Sequence, residues 1–321
     1  MLIIDALTDA DFCTSCAENP ASFSEKPVVA AIGFFDGVHL GHRHLLNQVR
    51  HEAACRGFSA AAITFAQHPR STLSTDYYKP RLISSLPEKI RHLAAEGLDT
   101  CFVLNFTPFM ASLSARQFME VLRKKMNVRC LVIGYDHRFG CHRSETFPDY
   151  VAFGRELGID VVRATELPAD GESVSSSAIR RALESGDVKR ASFCLGRNYT
   201  LEAVVVPGRK IGRTIGFPTA NLQPCDSLRL VPARGVYAVR VRWENLCHGA
   251  MLNIGCRPTI GEALAQTLEA HIFDFNGDLY GSHITLEFVE RLRDECTFAS
   301  LDSLRQQLVA DAACAKNILR I

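Results

Sequence analysis

The chain has 321 residues, 47% of them hydrophobic, and a formal net charge of +1. That length suggests two cores rather than one, and so even a charge balance gives no reason to invoke nucleic acid or an anionic membrane. No apolar run approaches the roughly 20 residues that span a bilayer, and the opening Met1-Leu2-Ile3-Ile4-Asp5 lacks the basic-then-apolar order of a signal peptide, so a cytoplasmic protein is expected.

Residues 1–27 are read as an early strand at Met1–Ile4 and a short helix. Val28–Ile32 is a short apolar, partly β-branched run, the pattern of a buried parallel strand. The chain then reads Gly33-Phe34-Phe35-Asp36-Gly37-Val38-His39-Leu40-Gly41-His42-Arg43-His44, after which Leu45, Leu46, Val49 and Ala53 recur at helical spacing. The stretch is therefore a strand-to-helix turn. Gly33, Gly37 and Gly41 let the backbone approach a ligand closely. The helix start offers free N–H groups and a positive dipole end, which suit a phosphate. His39 and His42 flank Gly41, and imidazoles there donate hydrogen bonds to a phosphoryl group as it becomes more negative.

Further strands are expected at Ser59–Phe65, ahead of Thr64-Phe65-Ala66-Gln67-His68-Pro69-Arg70, and at Cys101–Leu104. Ser114 caps a helix carrying Phe118, Val121 and Leu122. Cys130–Ile133 leads into Gly134-Tyr135-Asp136-His137-Arg138-Phe139-Gly140, and a fifth run covers Ile159–Val162. Strands alternating with helices predict a parallel α/β sheet, whose ligands bind beyond the carboxyl ends of the strands. Ser175, Ser176 and Ser177 then open a helix in which Arg180 stands one turn in, an N-cap region that also suits phosphate oxygens.

After a short helix at Val188–Leu195 the pattern changes. Thr200–Val206, Gly235–Arg242, His248–Ile254, Thr267–Phe275 and His283–Val289 read as strands, punctuated by Gly and Pro, before a packing helix from about residue 300. That predicts an antiparallel barrel with a C-terminal helix and domains at 1–186 and 187–321. Gly208-Arg209-Lys210-Ile211-Gly212-Arg213-Thr214-Ile215-Gly216-Phe217-Pro218-Thr219-Ala220-Asn221 is not a Walker A loop, because Gly208 and Gly212 are too close together. It serves phosphates by the same physics: Gly208, Gly212 and Gly216 free the backbone N–H groups, and Lys210 and Arg213 supply charge. Thr219 and Asn221 point the same way in an extended chain, placing two neutral oxygens for one Mg²⁺. In Thr267–Phe275, Glu269 and His271 share one face and Leu268, Ala270 and Ile272 the other. Asp274, Asp278 and Tyr280 are read as structural and Glu287 as a surface residue. The twelve cysteines are scattered, and the one Cys-x-x-Cys, Cys13 and Cys16, has no partner pair for zinc, so all are read as reduced.

His-x-Gly-His after the first buried strand resembles the nucleotidyltransferase superfamily. The longer string, with His68-Pro69, Asp136-x-Arg138 and Ser175-Ser176-Ser177-x-Ile179-Arg180, resembles bacterial FAD synthetase, whose usual forms are Thr-Phe-Asp-Pro-His-Pro-Arg, Gly-x-Asp-Phe-Arg-Phe-Gly and Ser-Ser-Thr-x-Ile-Arg. Thr214–Asn221 and Asn253-Ile254-Gly255-Cys256-Arg257-Pro258-Thr259 are similar to riboflavin kinase signatures. Together the chain resembles the bacterial bifunctional riboflavin kinase/FAD synthetase family. That resemblance implies a Rossmann-like N-terminal domain and a Greek-key barrel. Riboflavin, ATP and FMN would be substrates, with Mg²⁺ as cofactor, in a monomer or weak homo-oligomer. It implies Glu269 as the kinase base, and His39, His42 and Arg180 as catalytic in adenylyl transfer. ATP contacts would include Gly33, Phe35, Asp36, Gly37 and Gly41, and flavin contacts His68, Asp136, Arg138, Asn253 and Arg293. Phe34 stands where the family often has Asn, Ala66-Gln67 replaces Asp-Pro, His137 replaces Phe, and Ser177 replaces Thr. These departures keep open a monofunctional kinase whose N-terminal domain only binds nucleotide or flavin. A nucleotidyltransferase for another phosphate substrate is the third reading.

Overall fold

The structure is a computed structural model. It describes residues 1–7, 24–68, 81–135, 138–142, 144–167, 174–208, 212, 215–259 and 262–321. The expected helix before residue 27, the Cys13/Cys16 pair, Asp136, Lys210 and Arg213 lie outside the described residues. Contacts divide the chain into two compact units, Met1–Ser173 and Val174–Ile321.

In the first unit β1 (Leu2–Leu7), β2 (Val28–Ile32), β3 (Ser59–Phe65), β4 (Thr100–Leu104), β5 (Val128–Ile133) and β6 (Asp160–Arg163) form one sheet in the order β1-β4-β3-β2-β5-β6. Every pairing in it is parallel. The connecting helices are α1 (Leu40–Arg56), α2 (Leu86–Ala95), α3 (Pro108–Ser112), α4 (Ala115–Lys125) and α5 (Phe147–Leu157). All five residues of β2 are buried, because both faces of the sheet are covered. Val28, Ala30 and Ile32 pack with Phe118, Met119 and Leu122 of α4, while Val29 and Ala31 pack with Leu46, Val49 and Ala53 of α1. This explains the uninterrupted apolar run that marks a two-sided strand. The chain moves outward from β2 through β3 on one side and β5 on the other, so the switch point lies between β2 and β5, where such sheets bind ligands.

The second unit begins with α6 (Ser176–Ser185) and α7 (Val188–Leu195) and continues as β7 (Tyr199–Val206), β8 (Ala220–Pro224), β9 (Gly235–Trp243), β10 (Leu246–Thr259), β11 (Glu262–Ile272), β12 (His283–Arg293) and α8 (Leu301–Leu319). The strands close into an antiparallel barrel in the order β10-β11-β8-β7-β12-β9, with β9 and β10 paired to complete the ring. Tyr199, Leu201, Tyr237, Val239, Leu252, Leu268, Leu286 and Phe288 are buried. Val236, Ala238, Met251 and Phe273 pack instead against Ala315 and Leu319 of α8. β8 is a strand that sequence reading left unassigned, since Asn221, Gln223 and two flanking prolines carry no apolar alternation.

Candidate active sites

The opening turn of the first unit is bent by left-handed backbone at Phe35 (φ 54°), Gly37 (φ 79°) and Val38 (φ 39°). For residues with a Cβ this costs about 1–2 kcal/mol each, so the surroundings must enforce it. Asp36 is 3% exposed, and its carboxylate accepts hydrogen bonds from Ile83 N (3.0 Å) and from Ser84 N (3.0 Å) and Oγ (3.3 Å). Ser84 Oγ in turn accepts Gly37 N–H at 2.9 Å. The sequence reading puts Asp36 among the ATP contacts; in the fold its carboxylate ties the loop at 83–84 to the turn. The Phe35 ring lies edge-on to His42, centroids 5.2 Å apart. Gly33 keeps that space clear, because a Cβ there would meet the Phe35 ring at 3.0 Å.

His39 is the N-cap of α1, and its Nδ1 accepts the His42 N–H at 3.3 Å. That bond puts the ring proton of neutral His39 on Nε2. The two imidazoles stack with centroids 3.6 Å apart. A pair of imidazolium ions so close, at the positive end of a helix, is disfavoured. The geometry therefore favours hydrogen-bond donation over two full charges.

Lys89 of α2, which the sequence reading passed over, is 2% exposed beneath this turn. Its Nζ donates to Phe65 O (2.7 Å) and Phe34 O (3.1 Å) and lies 4.1 Å from the Phe34 ring centroid. Burial pulls its pKa down to about 8, opposed by Asp36 and more weakly by Cys101. Phe34 meets His68 edge to face at 4.6 Å. Beyond β5, Phe139 stacks on Tyr150 at 4.5 Å, and the Tyr150 hydroxyl bonds both the N–H and the carbonyl of Phe139, pinning the loop that carries exposed Arg138. Gln48 of α1, also unread in the sequence, holds the backbone of Thr165 past β6 through both its N–H (2.8 Å) and its carbonyl (3.3 Å).

In the second unit Ser175 caps α6, accepting Ala178 N–H at 3.2 Å, with Arg180 half-buried one turn later. The amides of Ser176 and Ser177 belong to the first turn, whose N–H groups have no intrahelical acceptor.

The barrel carries a polar row. Asn221 of β8 stands opposite Glu269 of β11, which stands opposite Asn253 of β10. Asn253 faces Val236 of β9, and Val236 faces Arg293 of β12. The row lines a cavity of about 330 Å³, with Thr219, Met251 and His271, and with Leu304 and Leu308 of α8. Thr219 Oγ1 is 3.5 Å from Glu269 Oε2. Glu269 and His271 are half-buried while Leu268, Ala270 and Ile272 are buried, the two-faced pattern expected of that strand. His271 Nδ1 donates to Pro218 O at 2.8 Å, bracing the turn before Thr219. Gly208 is required sterically: a Cβ there would fall 1.9 Å from Asn221 Nδ2. At Gly212 a Cβ would likewise fall too close, 2.2 Å from Phe217 O. Thr219, Asn221 and Glu269 together present hard oxygen donors that suit Mg²⁺ accompanied by phosphates. Arg293 makes a double hydrogen bond to Asp311 of α8 at 2.7 and 3.0 Å. The terminal helix thus supplies a wall and an anchor, more than the packing role expected of it. Glu287, expected at the surface, is half-buried. Burial works against its ionisation, but hydrogen bonds from Asn198 and Arg242 hold the carboxyl below its ordinary range.

A phosphate-directed turn at the switch point of a parallel sheet, and a separate barrel with a carboxylate in an oxygen-rich cavity, describe an enzyme with two phosphate-transferring units. Two family models match the chain, FAD synthetase over residues 22–178 and riboflavin kinase over residues 195–319. The chain belongs to the bifunctional riboflavin kinase/FMN adenylyltransferase family, which joins a kinase and a nucleotidyltransferase in one polypeptide. The Escherichia coli K12 member is 37% identical, over 93% of this chain and 95% of its own length. The member from Bacillus subtilis strain 168 is 36% identical, over 88% and 90%. A crystal structure from Streptococcus pneumoniae, described as a macrolide-efflux protein, is 32% identical with a TM-score of 0.85, covering 92% of this chain and 96% of that one. Among the described residues no helix is long and apolar enough to cross a membrane.

Proposed function

We propose that the barrel transfers the γ-phosphoryl of ATP to the ribityl hydroxyl of riboflavin, giving FMN and ADP, with Glu269 accepting the hydroxyl proton. The observation that carries this is the row Asn221–Glu269–Asn253 in the cavity, where a carboxylate stands among neutral oxygen donors. Thr219 and Asn221 would hold Mg²⁺, which would neutralise charge on the transferring phosphates. We assign Gly208, Lys210, Gly212, Arg213 and Gly216 to contacts with those phosphates, and Asn253 and Arg293 to the flavin.

In the N-terminal domain the phosphate of FMN attacks the α-phosphorus of a second ATP, and pyrophosphate leaves. The nucleophile is already anionic, so no protein base is needed. His39 and His42 donate to the phosphoryl oxygens as charge builds on them. The stacked rings and the fixed His39 tautomer support that role. Ser175, Ser176, Ser177 and Arg180 contribute phosphate contacts, and we set the functional boundary after residue 186 for that reason. We assign His68, Asp136 and Arg138 to the flavin. Free thiols at all ten cysteines among the described residues support a reducing, cytoplasmic setting.

Separation of flavins after incubation with riboflavin, ATP and Mg²⁺ tests both halves. Wild type is expected to make FAD, His42→Ala to stop at FMN, and Glu269→Ala to make FAD only from added FMN. Wild type that halts at FMN would leave the N-terminal domain as a binding module.

A further inference from the structure

We propose that Lys89 is a positioning residue for FMN in adenylyl transfer, holding the Phe34 ring against His68 at the carboxyl ends of β2 and β3. The inference deepens the reading above and rests on its placing of His68 on the flavin side.

An ammonium sealed beneath a turn is costly, and an apolar chain of similar length would fill the space more cheaply. What the charge adds is seen in its contacts. Nζ reaches the carbonyl of Phe65 at 2.7 Å and that of Phe34 at 3.1 Å, from residues on neighbouring strand ends. It also lies 4.1 Å from the centroid of the Phe34 ring, a cation–π contact. The ring, which also packs against the core of the first unit, is held from below by that contact and meets the imidazole of His68 at 4.6 Å. Thr64 Oγ1 donates to the same Phe34 carbonyl at 3.1 Å, so Phe34 is held through its backbone from two sides.

Among the described residues, Asp36 of the opening turn and Cys101 of β4 act on this ammonium, Glu88 is its neighbour in α2, and His68 lies against the Phe34 ring. The Glu88 carboxylate accepts Ser85 N–H at 2.7 Å, and Asp36 is engaged by Ile83 and Ser84. Loss of the Lys89 proton ends the cation–π contact and leaves one donor fewer for the two carbonyls. Phe34 is then less firmly set.

The test is steady-state FMN adenylylation by the full chain, comparing wild type, Lys89→Met and His68→Ala, with riboflavin phosphorylation by the same preparations as control. For Lys89→Met the KM for FMN is expected to rise about tenfold, the equivalent of one strong desolvated contact. Its kcat should change far less, and the kinase should be unaffected. The wild-type KM should climb above about pH 8, while that of Lys89→Met stays level over the same range. An unchanged KM in Lys89→Met beside a raised one in His68→Ala overturns the proposal alone. An unchanged KM in His68→Ala sinks the flavin reading of this end of the sheet, and the proposal with it. Should Lys89→Met fail to fold, the wild-type profile still decides: a KM for FMN that stays flat through pH 8 overturns the proposal.

Discussion

His39 and His42 lie face to face, centroids 3.6 Å apart, while Nδ1 of the first accepts the backbone N–H of the second. His39 therefore does two things, capping α1 and presenting its Nε2 proton. Serine separates them, because it caps a helix well but carries no imidazole. We expect His39→Ser to keep the melting temperature within a few degrees and to lower FMN adenylylation by about a hundredfold, as for loss of one transition-state donor. A loss of stability with activity intact would make His39 a cap and nothing more.

Glu269→Gln keeps the shape of the cavity and removes the proton acceptor. Riboflavin phosphorylation should fall by about a hundredfold or more, with conversion of added FMN to FAD untouched. Equal losses in both reactions would show that the substitution damages more than the barrel.

Gly208→Ala tests the oxygen row by crowding. The added methyl falls on the Asn221 amide, so Asn221 must turn away from its place beside Glu269. Kinase activity should drop and its Mg²⁺ requirement rise, read from initial rates across a Mg²⁺ titration. An unaltered Mg²⁺ dependence would remove Asn221 from the metal site.

Lys89 and Glu287 give opposite dependences of stability on pH. The folded pKa of Lys89, about 8, lies below the ordinary 10.5. The unfolded chain therefore binds this proton more tightly, and burying the charge costs stability below pH 8, on the order of 3 kcal/mol. That cost is relieved as pH rises from 8 toward 10.5. Lys89→Met should thus melt higher than wild type at neutral pH, with the gap narrowing above pH 8. The buried thiols of Cys101 and Cys130, raised by burial to about 11, act in the other direction from pH 9 upward, so the informative window is pH 8–9.

Glu287 is the reverse case. Its folded pKa lies below the ordinary 4.5, so the stability it adds is present above that value and lost as the pH falls through the folded pKa. Glu287→Gln should melt below wild type at pH 7, and the two curves should converge in acid. Parallel curves down to acid pH would show that the contacts of Asn198 and Arg242 are worth nothing.

The two-unit architecture was legible because its signals are repetitive. Val28–Ile32 is apolar at every position, as only a doubly covered strand needs to be, and β11 alternates as only a strand with two different faces does. The glycine spacing in the opening turn and in Gly208–Gly216 marked where backbone approaches something. Other features left no trace of that kind. Lys89 follows Glu88 in a helix and is passed over in the sequence reading, since nothing local reveals that it points under a turn 55 residues earlier in the chain. Asp36 sits in a glycine-rich turn between left-handed Phe35 and Val38, and nothing local in the sequence reveals that its carboxylate reaches the loop at 83–84. β8 is short and carries no apolar alternation, and its Asn221 is turned to the cavity. The wall formed by Leu304 and Leu308, and the anchor Asp311 gives Arg293, appear only when α8 folds back over the barrel.

The ring of the second unit closes by pairing its first strand with its last, Val204 against His283 through Phe288 against Tyr199. During synthesis β7 must wait for β12, and α8 must follow before Arg293 meets Asp311. The first unit has all the strands of its sheet by Arg163. The two activities thus mature in the reverse of their chemical order: the sheet that finishes FAD can assemble while the barrel that starts it still lacks strands. A ribosome stalled late in the message would leave a chain that cannot make FMN but whose α/β unit is complete.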